Sequence, residues 1–323
     1  MLSLVAITAL ILAGLFFGSQ FVPQKYCPSF DTRAYNLSMM FGIAIVSGMI
    51  ALASLFLDMP ANVQEKEFAP INIGLCLVAG IIWSLGNLFI LAAISKIGIS
   101  RTFPVVNLVV VVAFFAGIIF LGELRSIEIA IIILLFFGIG SVLVGSYFTT
   151  RATSKEEKKV RDVKGGIIAA LLSTIFFGFY NVPILVSLRS ETWSVYLAVF
   201  FLSLGAILGA ILFGFLWLRK ELFKIWKRAQ KKWHYLAISG CMIWGIGQVS
   251  ANTAMEEVGV SIGAPAIQGL VIVVGVLWGL AVFKELGDIP VVRRRKAVYV
   301  LLLGCCFALI GSLVMGYVAS LLF

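Results

Sequence analysis

Charge is scarce in this chain. Only 12% of its 323 residues are Asp, Glu, Lys or Arg, against about a quarter in water-soluble domains, while 61% are hydrophobic and mean hydropathy is +1.09. A water-soluble fold would have too little polar surface to cover itself, so the bilayer is the solvent this composition fits. Histidine occurs once and cysteine five times, with no Cys-x-x-Cys spacing and four of the cysteines inside apolar runs. That excludes a disulfide framework and gives no metal site, because cysteines in such runs pack as small apolar residues. A Walker motif is missing too, and so is any pairing of nucleophile and base. Neither an enzyme nor an ATP-driven pump acting alone is expected, and no cofactor is implied.

The net charge of +10 would suit nucleic acid only if it were gathered on one surface. It lies instead in short loops between apolar runs, where it orients a membrane protein. Ten runs are long enough to cross about 30 Å of hydrocarbon, at 2–22, 34–57, 71–94, 103–121, 126–147, 165–186, 193–217, 234–257, 262–283 and 297–320. The first lacks a basic flank and a cleavage site, so it reads as a span and not as a signal peptide. Loops after the odd-numbered runs carry 22 of the 25 Lys and Arg residues, Arg101 among them; the opposite side has only Lys66, Arg125 and Arg189. The asymmetry places the odd loops in the cytoplasm and both termini outside the cell membrane.

An internal match organises the chain. Phe16-Phe17-Gly18 and Val22-Pro23 recur as Phe176-Phe177-Gly178 and Val182-Pro183, 160 residues on. Trp83, Gly86, Gly98, Ser100 and Pro104 recur as Trp244, Gly247, Gly259, Ser261 and Pro265 at an offset of 161, and Asn87 and Asn107 become Gln248 and Gln268. Two five-helix repeats are expected, over 1–148 and 165–323, joined by a polar linker at 149–164. Five is odd, so the second repeat lies upside down relative to the first, the arrangement secondary transporters use to alternate access.

Gly14/Gly18, Gly205/Gly209 and Gly275/Gly279 have the four-residue spacing at which membrane helices approach closely. Pro23, Pro104, Pro183 and Pro265 fall near helix ends, where they either terminate helices or break them around a cavity. Polar residues inside the apolar runs are the candidates for a substrate site, since each needs a partner or a wet cavity. Trp244, Gln248, Asn252 and Glu256 recur every fourth residue on one helical face, and Trp83 and Asn87 occupy the matching face of the third run. Gln20, Asn107, Tyr180, Asn181 and Gln268 complete the expected pocket; the alternative for each is hydrogen bonding that holds helices together. Amides can donate to and accept from hydroxyls, and an indole can cover the apolar face of a sugar ring. With no cluster of buried Lys or Arg expected, a neutral polar solute fits better than a phosphorylated one. Glu256 is read either as a proton-coupling carboxyl at the outer mouth or as an interfacial one facing water. His234, between Trp233 and Tyr235, reads as an interfacial anchor, and the basic stretch Arg219–Lys232 before it as a helix lying on anionic lipid. Glu123 and Glu285, at matching helix ends, read as structural.

Phe17-Gly18-Ser19-Gln20-Phe21-Val22-Pro23-Gln24-Lys25-Tyr26, Ile82-Trp83-Ser84-Leu85-Gly86-Asn87, Gly98-Ile99-Ser100-Arg101-Thr102-Phe103-Pro104, Leu121-Gly122-Glu123, Trp244-Gly245-Ile246-Gly247-Gln248 and Gly311-Ser312 carry a resemblance over nearly the whole chain. It resembles the drug/metabolite transporter superfamily, and within it the glucose/ribose porter group. The resemblance implies a secondary transporter for sugars, often proton-coupled. Export of amino acids or other metabolites is the alternative within transport, and a channel or lipid scramblase the alternative outside it. Polar faces that converge within one chain favour a carrier over a channel built from several subunits.

Overall fold

The computed structural model describes residues 4–56, 70–121, 129–151, 162–188, 195–258, 260–286 and 290–322. Among them every regular element is helical. The helices are α1 (Leu4–Ser19), α2 (Thr32–Phe56), α3 (Pro70–Ile97), α4 (Ile99–Val106), α5 (Val109–Leu121), α6 (Ile129–Arg151), α7 (Val163–Phe179), α8 (Asn181–Leu188), α9 (Val195–Leu218), α10 (Glu221–Arg228), α11 (Lys231–Val258), α12 (Val260–Leu277) and α13 (Val291–Leu322). A 3-10 turn, Val22–Tyr26, follows α1, and a π turn, Trp278–Val282, extends α12. Most of the 149–164 linker and Glu123 lie outside the described residues, as do the side chains of Asn181, Asn252 and Glu256.

Among the described residues seven helical stretches are long and apolar enough to cross a bilayer: Leu4–Tyr26, Thr32–Ser54, Pro70–Ile97, Ile129–Thr149, Val163–Ile184, Tyr196–Leu218 and Arg293–Val318. Side chains such as Ile133, Phe136, Leu216 and Tyr299 face outward, which water would disfavour and lipid accepts. The other three expected spans are less regular. α11 has the length, but it carries Gln248, Ser250, Asn252 and two glutamates. The fourth run starts earlier than expected and breaks at Asn107–Leu108 into α4 and α5. The ninth ends in the π turn.

Arg101 corrects the sequence expectation. The connection from α3 to α4 is the single residue Gly98, at φ +86°, so the segment expected as loop and its arginine are drawn inside. Arg101 is only 2% exposed, in the first turn of α4. Pro104 likewise lies within α4 and does not end it.

Glycines set the helix crossings. Any Cβ on Gly80 would overlap the Leu202 carbonyl oxygen, and one on Gly205 the Leu77 carbonyl, so α3 and α9 touch backbone to backbone. Each of the paired glycines read from the sequence also faces a neighbouring helix: Gly14 meets Leu270, Gly18 meets Val274, Gly209 meets Ile81, and Gly275 meets Phe103. Close approach of this kind is what small residues permit in membrane helices. Gly86 packs on Phe176 and Phe177, while Gly247 packs on Phe16 and Phe17. The two contacts use corresponding residues of the internal match.

Short amphipathic α10 forms where the basic stretch was read. Leu222 is fully buried, and the Trp226 Nε1–H donates to Ser38 Oγ at 2.8 Å. The same hydroxyl lies 2.8 Å from His234 Nδ1, so α2, α10 and α11 meet at one serine.

Candidate substrate site

Trp83 on α3 and Trp244 on α11 are both buried, and their rings lie 5.1 Å apart. Each is backed by a phenylalanine of the other half of the sequence match: Phe177 lies 6.3 Å from Trp83, and Phe17 stacks on Trp244 at 6.1 Å. Four aromatic rings thus form a continuous plug where α1, α3, α7 and α11 meet.

A narrow crevice borders the Trp244 side. Its walls come from α2 (Ile43, Val46, Ser47, Ile50), α9 (Tyr196, Val199) and α11 (Trp244, Gly245, Gln248, Val249). Gln248 falls one turn beyond Trp244, as i,i+4 residues must, and presents an amide beside the indole. Apolar walls with a few polar groups are the usual form of a small-molecule site.

Asn87, one turn beyond Trp83, is fully buried. Its amide donates to Asn36 Oδ1 at 2.8 Å and weakly to Met39 Sδ at 3.4 Å. Asn36 in turn reaches the Ser84 backbone oxygen and hydroxyl, both at 3.4 Å. Sequence reading missed Asn36, because its partners are 48 and 51 residues away. The Asn87 Oδ1 accepts no hydrogen bond among the described residues, nor does the Gln20 Oε1. Buried acceptors left this way are costly unless a donor arrives.

The other expected residues separate. Gln20 is buried at the end of α1 and donates to the Phe17 carbonyl. Tyr180 is half-buried at the α7–α8 break, with its ring 6.4 Å from Phe177. Asn107 sits at the α4–α5 break and turns away toward α13, donating to Ser312 Oγ at 2.6 Å. Gln268 is half-buried in α12.

Glu285 stands out on the Lys25 side of the bundle. Its carboxylate accepts from the backbone amides of Ile99 (2.8 Å) and Ser100 (3.0 Å) and from Ser100 Oγ (2.7 Å). Lys25 Nζ lies 2.7 Å from the same group. Burial alone would raise the Glu285 pKa, but the Lys25 ammonium and these donors outweigh it and hold the carboxyl below its ordinary value.

Comparison with known proteins decides the family. The profile of the family described as sugar transport protein matches residues 29–225, more than half of the chain. The chain belongs to the sugar transport protein family. A protein of Enterococcus faecalis named for sugar uptake is 23% identical over 75% of this chain and 78% of its own length. Two proteins named probable glucose uptake protein GlcU are also similar. The one from Priestia megaterium is 25% identical over 79% of this chain and 83% of its own, and the one from Bacillus anthracis 26% over 80% and 83%. With its seven bilayer-length apolar helices, this member of the family is a multi-pass membrane protein.

Proposed function

We propose that this chain is a secondary carrier that moves a small neutral sugar across the cell membrane by alternating access. The observation that carries the reading is the crevice at Trp244 and Gln248, adjoining the Trp83–Trp244 plug, in a chain of the sugar transport protein family. Indole faces suit the C–H face of a sugar ring. Gln248 and the unpaired acceptors of Asn87 and Gln20 suit its hydroxyls. Under this reading Gln20, Trp83, Asn87, Tyr180, Asn181, Trp244, Gln248, Asn252 and Gln268 approach the solute at some stage of the cycle. Asn107, bonded to Ser312, contributes at the α4–α5 break.

The carrier has ten membrane crossings in two inverted repeats, 1–148 and 165–323. The reciprocal contacts of Gly86 with Phe176–Phe177 and of Gly247 with Phe16–Phe17 support a twofold relation between them. In this scheme α4 with α5, α11, and α12 with its π turn supply the three crossings beyond the seven apolar ones. Both termini are external, on the strength of the uneven Lys and Arg distribution. Glu256 carries the proton in a coupled cycle, and Glu257, about 100° around the helix, is its internal control.

The test is a thermal-shift screen of the purified full-length protein against hexoses, pentoses, sugar phosphates and amino acids. A ligand that binds only the folded state raises the melting temperature. A shift with a neutral sugar is expected; a shift confined to amino acids would replace this reading by the exporter. For coupling, Glu256→Gln should abolish accumulation driven by a pH gradient in proteoliposomes while Glu257→Gln keeps it. Equal behaviour of the two variants would remove Glu256 from the mechanism.

A further inference from the structure

We propose that Glu285 is a gating residue, and that its grip on Lys25 and on the start of α4 latches the carrier shut at the Lys25 end of the bundle. The inference rests on the alternating-access reading above.

The carboxylate collects four contacts from two directions: Lys25 from the turn after α1, and Ile99 N, Ser100 N and Ser100 Oγ from the start of α4. Glu285 itself follows the π turn of α12, 186 residues from Ile99. The room it occupies is built from absent side chains. A Cβ on Gly98 would sit 2.5 Å from the Glu285 carboxyl, and one on Gly279 would sit 2.7 Å from its Oε2. Gly98 also has φ +86°, which side-chain-bearing residues rarely adopt.

An ordinary helix cap would be a Ser, Thr or Asp at position 98, moving with the helix it caps. Here the cap residue offers no side chain, and its work is done by an acidic group on another element. Such a cap can be withdrawn as a rigid body without unwinding α4. A local cap could not be.

Position along the bundle makes the contact a gate. Lys25 lies just ahead of α2, whereas the crevice meets α2 at Ile43–Ile50. Counted from Thr32, that is roughly 16–27 Å along the helix at 1.5 Å per residue. Between crevice and carboxylate lie layers of packed rings: Trp83 on Trp244, then Phe21 against Phe103 at 6.0 Å, then Phe283 between Tyr26 and Trp278. Trp278 Nε1–H donates to Ser19 Oγ at 2.9 Å, and Lys25 Nζ lies 5.6 Å from the Phe283 ring centre. Packed rings therefore stand on the Lys25 side of the crevice, and Glu285 holds Lys25 at that end.

The test uses the full-length protein, with its five cysteines replaced by serine and one reporter placed at the buried Val22 (V22C). Alkylation by a small water-soluble maleimide is timed in Glu285→Gln, Lys25→Gln and Glu285→Asp, alongside melting temperature. A glutamine at 285 loses the ion pair and turns an N–H toward donors it cannot serve. Both neutral variants should label faster than the parent, on the order of tenfold, with Glu285→Asp close to the parent. Lys25→Gln leaves the α4 cap in place, so it carries the test alone if Glu285→Gln fails to fold. Unchanged labelling in Lys25→Gln with a folded protein would overturn the proposal, and a lowered melting temperature without faster labelling would leave Glu285 as a cap only. Labelling does not depend on transport. Faster labelling in a protein that moves no sugar would therefore contradict the sugar assignment and leave the latch standing.

Discussion

The rings of Trp83 and Trp244, 161 residues apart in sequence, meet 5.1 Å from centre to centre inside the bundle. They are corresponding residues of the internal match, and each is braced by the phenylalanine that corresponds to the other's brace. No sugar fits between rings already in contact. The solute is accordingly expected to meet the Trp244 face at the crevice first, and the pair to part as the carrier turns over.

Trp244→Ala should then weaken sugar binding by on the order of tenfold, the scale of about 1.5 kcal/mol for losing an aromatic contact. Trp244→Phe should keep most of the affinity. The readout is the concentration of sugar that half-saturates the thermal shift. Equal affinity in parent and Trp244→Ala would take the indole out of the site.

The Asn36–Asn87 amide contact predicts a coupled pair. Either alanine substitution leaves a buried amide without its partner and should destabilise by about 1–3 kcal/mol. The double variant should lose less than the sum, because contacting residues are not additive. Thermal unfolding of the four proteins measures this, and strict additivity would mean the contact contributes nothing. Asn87→Ala should also weaken sugar binding more than Asn36→Ala does, since it alone removes the unpaired acceptor.

Helix contact through glycine predicts a position effect. Gly205→Val forces side-chain atoms into the Leu77 backbone, and overpacking of this kind costs about 1–3 kcal/mol. Gly74 has no neighbour within 4 Å of a Cβ, so Gly74→Val should be tolerated. Similar melting temperatures for the two variants would refute the α3–α9 backbone contact.

Acid should weaken the latch. The Glu285 carboxyl lies below its ordinary pKa in the folded protein, so ionisation stabilises the fold. That contribution is complete above the unfolded value, about 4.3, and is lost as pH falls through the lower folded value. The parent's stability advantage over Glu285→Gln should hold from neutral pH to about 5 and shrink below about pH 4. A constant difference across that range would contradict the assignment.

Much of this was legible in the sequence because a bilayer imposes one-dimensional rules. Apolar length marks the helices, and Trp83/Trp244 and Phe17/Phe177 recur at nearly constant offsets. Glycine spacing likewise identified the contacts of Gly18 and Gly205. What was not legible depends on three-dimensional register. Arg101 reads as a loop residue because nothing in Gly98-Ile99-Ser100 announces a one-residue turn. Asn107 donates to Ser312, a partner 205 residues away that its place in the sequence match does not announce. Asn36 and Asn87, like Lys25 and Glu285, are joined only by the folding of distant helices.

Transport itself is the central claim, and counterflow in proteoliposomes measures it most directly. Liposomes holding the full-length protein are loaded with millimolar unlabelled glucose and diluted into trace labelled glucose. A carrier that alternates access should draw label inward to a transient peak above equilibrium, and protein-free liposomes should not. Because counterflow needs only exchange through one alternating site, the result does not depend on the coupling ion. Monotonic entry without overshoot, for glucose and for every other neutral sugar tried with a protein that is demonstrably folded, would contradict the account.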